Sequence, residues 1–257
     1  MNLRHPWPLL AIASGLLLTL GLSSSAFAST TGPAANGHYY GVAEWYPSVA
    51  SNGAYADLYV QSGNAKDYAS GGHVNQTVWE GTNNASAFQD WVEGGYIYGE
   101  FPGSNATTPS YYWADQRPNS ALWVHKITSI TPTIGTWEPI EIEYLGSDQW
   151  GVYYNFSEAS GNQNCYINSS GGLTCDSNTA GSVSTSNPPN TTQSSLETGL
   201  ETTSGTDVMT ASAYSSGIEY LTTGVTWTSW TGAYLSVNSP ATASWVSKPS
   251  EISDSEN

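Results

Sequence analysis

Positive charge is nearly absent from this chain. Arg4, Lys66, Arg117, Lys126 and Lys248 are its whole Lys and Arg complement, against 21 Asp and Glu, for a formal net charge of -16 over 257 residues. No two of the five are adjacent, so no cluster can neutralise phosphates, and nucleic acid is excluded as an expected partner. The same shortage disfavours an anionic membrane surface. Cysteine is scarce as well, with Cys165 and Cys175 the only pair. Two Cys and the scattered His38, His73 and His125 match no recognised zinc spacing, so the sequence predicts no metal and no cofactor. The nucleophile motifs are missing too: there is no Gly-x-Ser-x-Gly elbow, and no His sits in a setting that suggests a serine triad.

Aromatic rings are present in excess, as 11 Trp, 17 Tyr and 4 Phe. That much apolar surface predicts a folded acidic protein, because a disordered acidic chain would leave the rings in water. Residues Met1 to Ala28 read as a secretory signal. Arg4 and His5 precede an apolar run from Leu9 to Leu22, and Ala26-Phe27-Ala28 supplies a small-x-small cleavage site. The expected product is a secreted chain of residues 29–257, free of the membrane once the signal is removed and acting as a monomer. In that exported part, Cys165 and Cys175 flank Ser169-Ser170-Gly171-Gly172, a hairpin tip that a disulfide would clamp.

Gly, Pro, Ser, Thr and Asn punctuate the chain every ten or so residues, and the pieces between them alternate apolar with polar. Ala54 to Val60, Thr77 to Glu80, Tyr96 to Tyr98, Ile140 to Tyr144 and Trp150 to Tyr154 read as half-buried strands. Ala85 to Val92 carries one helical turn at most. Many short strands argue for an all-β fold, a sandwich of two antiparallel sheets in a single domain over residues 29–257. Residues 29–37 and 247–257 are small, polar or acidic and read as loose ends. Ser182 to Ser195, with Pro188-Pro189, reads as a long loop.

Carboxylates are the chemistry that remains, and two have unusual surroundings. Period-two alternation places Trp91, Glu93 and Gly95 on one strand face, and Glu197, Gly199 and Glu201 on another. A glycine beside each carboxyl is read as leaving room for something bulky. Taken in order, Trp79, Trp91-Val92-Glu93-Gly94-Gly95-Tyr96, Tyr112-Trp113-Ala114-Asp115 and Glu197-Thr198-Gly199-Leu200-Glu201 resemble the glutamic peptidases. These are the fungal eqolisins and, more closely, the neprosin-type prolyl endopeptidases. The resemblance spans roughly residues 39–235. It implies two curved antiparallel sheets of jelly-roll or concanavalin-like form, with Glu93 and Glu201 as a catalytic pair on one concave face. It also implies Thr77, Trp79 and Trp113 as substrate-binding residues and a protein or peptide as substrate.

Two carboxyls forced together in a desolvated cleft share one proton over an acid range, which makes them an acid–base pair. The pair is expected to meet from neighbouring strands. Glu201 is expected to be the base and Glu93 the electrophilic partner. The alternative is a non-catalytic carbohydrate-binding sandwich, whose flat aromatics would stack on sugar faces; a glycosidase with a Glu pair is a weaker third reading. Sequons such as Asn75-Gln76-Thr77 and Asn105-Ala106-Thr107 mark sites for glycan in a glycosylating host.

Overall fold

A computed structural model describes residues 30–34, 36–45, 50–82, 91–101, 103–116, 122–146, 149–158, 162–167, 173–180 and 194–256. The signal segment Met1 to Ala28, nearly all of the Ala85 to Val92 turn, the tip Ser169 to Gly172 and nearly all of the Ser182 to Ser195 loop lie outside the described residues. Among those described, the regular secondary structure is strand apart from one 3₁₀ turn at Tyr68–Ser70, and no helix is long and apolar enough to cross a membrane.

Two large sheets stack face to face. The ten-stranded sheet runs, edge to edge, Thr30–Thr31, Tyr234–Ser239, Tyr39–Trp45, Ser194–Thr202, His73–Thr82, Trp91–Gly99, Ser110–Gln116, Trp123–Ile127, Asn162–Ile167 and Leu173–Ala180. Its pairings are antiparallel except the first, where Thr30–Thr31 lies parallel to Tyr234–Ser239. The second sheet is built around Trp137–Gly146, Ser51–Tyr59, Ala213–Thr222 and Glu251–Ser255. Each predicted strand falls on an observed one, because alternation survives wherever one face of a strand meets a core.

The core lies between the sheets and is filled by every second residue. Val74, Val78, Val92, Tyr96, Tyr98, Leu196 and Leu200 from the first sheet meet Leu58, Ile140, Ile142, Val152 and Ile252 from the second. Full burial of each aliphatic side chain contributes roughly 1.5–3 kcal/mol. The buried tyrosines keep their hydroxyls satisfied: Tyr96 donates to the Tyr59 carbonyl at 2.9 Å and Tyr98 to the Gln61 carbonyl at 2.7 Å. Tyr154 reaches across the core, accepts from the Gly95 N–H at 3.2 Å and donates to the Tyr112 carbonyl. Its hydroxyl therefore ties two neighbouring strands of the first sheet from beneath.

The C-terminal end corrects the expectation of a loose tail. Glu251–Ser255 is a strand between Ala213–Thr222 and Thr242–Ser247. Ile252 and Asp254 point inward and are fully buried. An inward aspartate breaks the apolar alternation that marks a strand, which is why the segment reads as polar. The other end is also anchored in part, through Thr30–Thr31. Cys165 and Cys175 stand directly opposite each other in the hairpin at the far edge of the first sheet; their side chains lie outside what the structure describes.

Candidate active site

The outer face of the ten-stranded sheet, turned away from the core, carries the candidate chemistry. Strand register sets it out in three rows. Glu44, Glu197, Trp79, Glu93 and Ala114 form one row, and Val42, Gly199, Thr77, Gly95 and Tyr112 the next. Tyr40, Glu201, Asn75, Ile97 and Ser110 form the third. Glu93 and Glu201 thus share a face but not adjacent strands: His73–Thr82 runs between them, and they face each other on a diagonal. Asn75 and Tyr112 fill that diagonal. The Asn75 amide donates to the Tyr112 hydroxyl at 2.5 Å and to Glu201 Oε2 at 3.4 Å, and the Tyr112 hydroxyl hydrogen-bonds the Glu93 carboxyl. Ile97, Phe101, Tyr112, Ala114 and Val124, flanked by Trp91 and Leu122, form a small apolar cluster on the same face, which keeps water away from one side of Glu93.

Glu201 is surrounded by donors. His38 Nδ1 stands 2.5 Å from Oε1, and the Tyr40 hydroxyl donates to the same oxygen at 2.9 Å. Burial alone would raise its pKa. The hydrogen bond from His38, the charges of His38 and His73 and the bond from Tyr40 outweigh burial and hold the carboxyl at about 2. Glu93 is pushed the other way. Burial raises it well above the ordinary glutamate range, the Glu201 carboxylate raises it further, and the Tyr112 hydrogen bond offsets only part. Over the acid range one carboxyl is therefore ionised and its partner protonated. His38 responds in kind: burial works against its charge, but Glu201 overcomes this and raises its pKa.

Glu197 is a third buried carboxyl, raised well above its ordinary value by burial and then by the charges of Glu44, Glu201 and Glu93. It lies one strand beyond Trp79 in the Glu93 row. His73, at the start of its strand, pairs with Glu100 Oε2 at 3.1 Å, and its ring stands edge-on to that of His38 at 5.6 Å.

Thr77 and Trp79 occupy the face on which they were expected. The Thr77 hydroxyl bonds the Gly94 carbonyl at 3.2 Å and also Tyr112; Trp79 packs edge-on to Trp91 at 5.1 Å. Trp113 does not share that face. Alternation turns it into the core, where its ring stacks on His125 at 3.6 Å and is 2% exposed, and it is Tyr112 that faces the carboxyls. Asn75 is 1% exposed and engaged in the diagonal network, so its sequon is closed to glycan in the folded chain.

The glycines also act differently from expectation. A Cβ at Gly95 would stand 2.0 Å from the Gln76 carbonyl, and one at Gly199, whose φ is +142, would stand 2.5 Å from the Gly41 carbonyl. Neighbouring backbone fills the space that was read as room for a ligand. Both glycines serve close strand approach beneath the carboxyls. Gly199→Ala is expected to lower the stability by on the order of 2 kcal/mol, read as a drop in urea midpoint.

His38 and His73 lie 35 positions apart in the chain, and the sequence reads them as scattered; the fold brings them together with Glu201. The ligand atoms of the three lie within 4.8 Å of one another. His125 goes elsewhere, to Asp115 at 3.4 Å. The expectation of no metal rested on that scatter, and for two of the three histidines the scatter is removed.

No protein-family model and no curated protein matches the chain. Among solved structures, it is similar to scytalido-glutamic peptidase with a peptide-based transition-state analogue, at 13% identity and a TM-score of 0.49, covering 84% of this chain and 97% of that one. It is also similar to SCP-B, a member of the eqolisin family of peptidases in complex with the tripeptide Ala-Ile-His, at 11% identity and a TM-score of 0.48, again covering 84% and 97%.

Proposed function

We propose that this chain is a secreted, acid-acting glutamic endopeptidase in which Glu201 and Glu93 activate water against a peptide bond. The observation that carries the reading is the Glu93–Tyr112–Asn75–Glu201 diagonal, which holds two buried carboxyls on one outward face in surroundings that push their pKa values in opposite directions. Glu201 Oε1 is occupied by His38 and Tyr40, whereas Oε2 has only a long contact to Asn75 and is the atom left to accept from water.

In the proposed reaction, water bound between the carboxyls attacks the peptide carbonyl carbon and gives one proton to Glu201. Protonated Glu93 donates to the carbonyl oxygen as negative charge develops there, with Tyr112 beside it. Collapse of the tetrahedral species breaks the C–N bond, the leaving amine takes the proton from Glu201, and both carboxyls return to their starting states. A base held near 2 is weak, since basicity falls with pKa, but it stays ionised throughout the acid range. Thr77 and Trp79 lie between the two carboxyl strands and would contact the peptide there. Export by the Met1 to Ala28 signal, a Cys165–Cys175 clamp and a monomeric enzyme belong to the same proposal.

The pH dependence follows from the two directions. Activity requires Glu201 ionised, so it is lost below about 2, and Glu93 protonated, so it is lost as pH rises through Glu93's raised pKa. Casein hydrolysis by the mature chain is expected to persist through the acid range, to fall only above the pH at which ordinary glutamates ionise, and to resist pepstatin. Equal rates at about pH 4 and pH 8 would contradict the pair.

The second reading, a carbohydrate-binding module, is favoured by a different surface. On the outer side of the second sheet, Trp137 and Phe156 are exposed, and Tyr55 stacks on Phe156 at 6.4 Å. Retention on an insoluble polysaccharide, with casein left intact in acid, would select that reading.

A further inference from the structure

We infer that His38, His73 and Glu201 form a binding site for a divalent transition metal of zinc's class, and that an ion there blocks the hydrolytic centre by occupying Glu201. The donors are two imidazole nitrogens and one carboxylate oxygen, all within 4.8 Å of one another. That set, with a fourth position left open, suits zinc, cobalt or nickel better than magnesium or calcium, which prefer all-oxygen shells. Bonds of about 2.0–2.2 Å to a tetrahedral ion space its donors about 3.4 Å apart, so His38 Nδ1 and Glu201 Oε1, now 2.5 Å apart, would have to part to admit the ion. His38 is the ligand free to move. It precedes the Tyr39–Trp45 strand, and its side chain is 30% exposed, against 10% for His73 and 11% for Glu201.

The surroundings are those of a supported metal site. Glu100 Oε2 stands 3.1 Å from His73 Nδ1, outside hydrogen-bond geometry, so its carboxylate is placed to take up that nitrogen's proton if the other ring nitrogen, Nε2, binds an ion. Tyr40 and Asn75 hold Glu201 from either side. Glu100 itself is one of four non-glycine residues with positive φ among those described, at 57°. The other three, Asn155, Phe156 and Val225, are exposed, whereas the Glu100 side chain is 9% exposed. A left-handed glutamate is thus retained where it turns a carboxylate onto a histidine.

The binding half of this inference is independent of the peptidase reading; the blocking half rests on Glu201 being the base. The test is titration of the EDTA-stripped mature protein with ZnCl₂ by calorimetry, and with CoCl₂ by visible absorption, at about pH 7.5, above the ordinary imidazole range. One ion per chain is expected. His38→Ala, chosen because His38 is the most exposed ligand, should abolish binding while leaving the melting curve cooperative, and Glu100→Gln should weaken it about 10–100-fold. Absence of zinc binding by the wild type, or binding unchanged in His38→Ala, overturns the site. In a casein assay stoichiometric zinc should inhibit and EDTA should restore the rate. Zinc binding without inhibition overturns the block alone. An EDTA-stripped enzyme that is inactive until zinc is added overturns both the block and the metal-free carboxyl pair, while the site itself stands.

Discussion

Glu201→Gln is expected to lower kcat/KM for peptide hydrolysis by about 10⁴-fold, whereas Glu93→Gln loses only about 10²-fold. The asymmetry comes from what an amide retains. At position 201 it cannot take a proton from water, so the base is gone. At position 93 an amide N–H still donates to the developing oxyanion, and only proton donation by the acid is lost. Neither change should unfold the chain. Glu201→Gln keeps an oxygen for the Tyr40 hydroxyl, and Glu93→Gln puts a neutral group where burial already keeps the carboxyl neutral. Steady-state kinetics on both variants, with circular-dichroism melts as the control, check this; full activity in Glu201→Gln would move the base to another carboxyl, with Glu197 next in position.

The second large effect concerns stability. Asp254 is 1% exposed, accepts from Gln76 Nε2 at 2.9 Å, and is pushed by burial up to about 7, with the Gln76 bond offsetting only part. The folded chain therefore keeps a proton that the unfolded chain releases near about 3.9. With the native state binding more protons, stability falls as pH rises from about 4 to about 7 and is level outside that window. The loss from this one residue is on the order of 4 kcal/mol. Glu201 contributes the opposite slope: its depressed pKa gives stability above the ordinary glutamate range that is lost as pH falls toward about 2. Asp254→Asn keeps an acceptor for Gln76 and cannot ionise. It should raise Tm at about pH 8 by on the order of 10 °C and change little at about pH 4. A parallel rise at both pH values would mean that Asp254 is not the titrating group.

These two predictions draw on residues of very different visibility in the sequence. Glu93 and Glu201 stand beside glycines in alternating segments, and alternation alone places each on a face; the resemblance to glutamic peptidases pairs them. The sandwich itself is equally visible, since strands such as Ile140 to Tyr144 meet a core on one side only. Alternation also carries the correction for Trp113: counting by two from Gly95 across the register reaches Tyr112, not its bulky neighbour. What alternation cannot supply is topology. His38 reaches Glu201 because Tyr39–Trp45 pairs with Ser194–Thr202, across 163 positions. Asn75 reads as a glycan acceptor until the strand on each side of it is known. Asp254 hides a strand because its burial depends on Gln76, a partner 178 positions away.

The protonation of Glu93 is the most direct test of an unequal carboxyl pair. In the mature protein labelled with ¹³C at glutamate side-chain carboxyls, with EDTA present, the Glu93 resonance can be assigned by its loss in Glu93→Gln and followed against pH. The account predicts that Glu93 stays protonated at pH values where the exposed glutamates have ionised, and that the Glu201→Gln variant shifts its transition downward, because a neighbouring negative charge is gone. A Glu93 transition near about 4.3, the value of an isolated glutamate, and unmoved by Glu201→Gln, would contradict it.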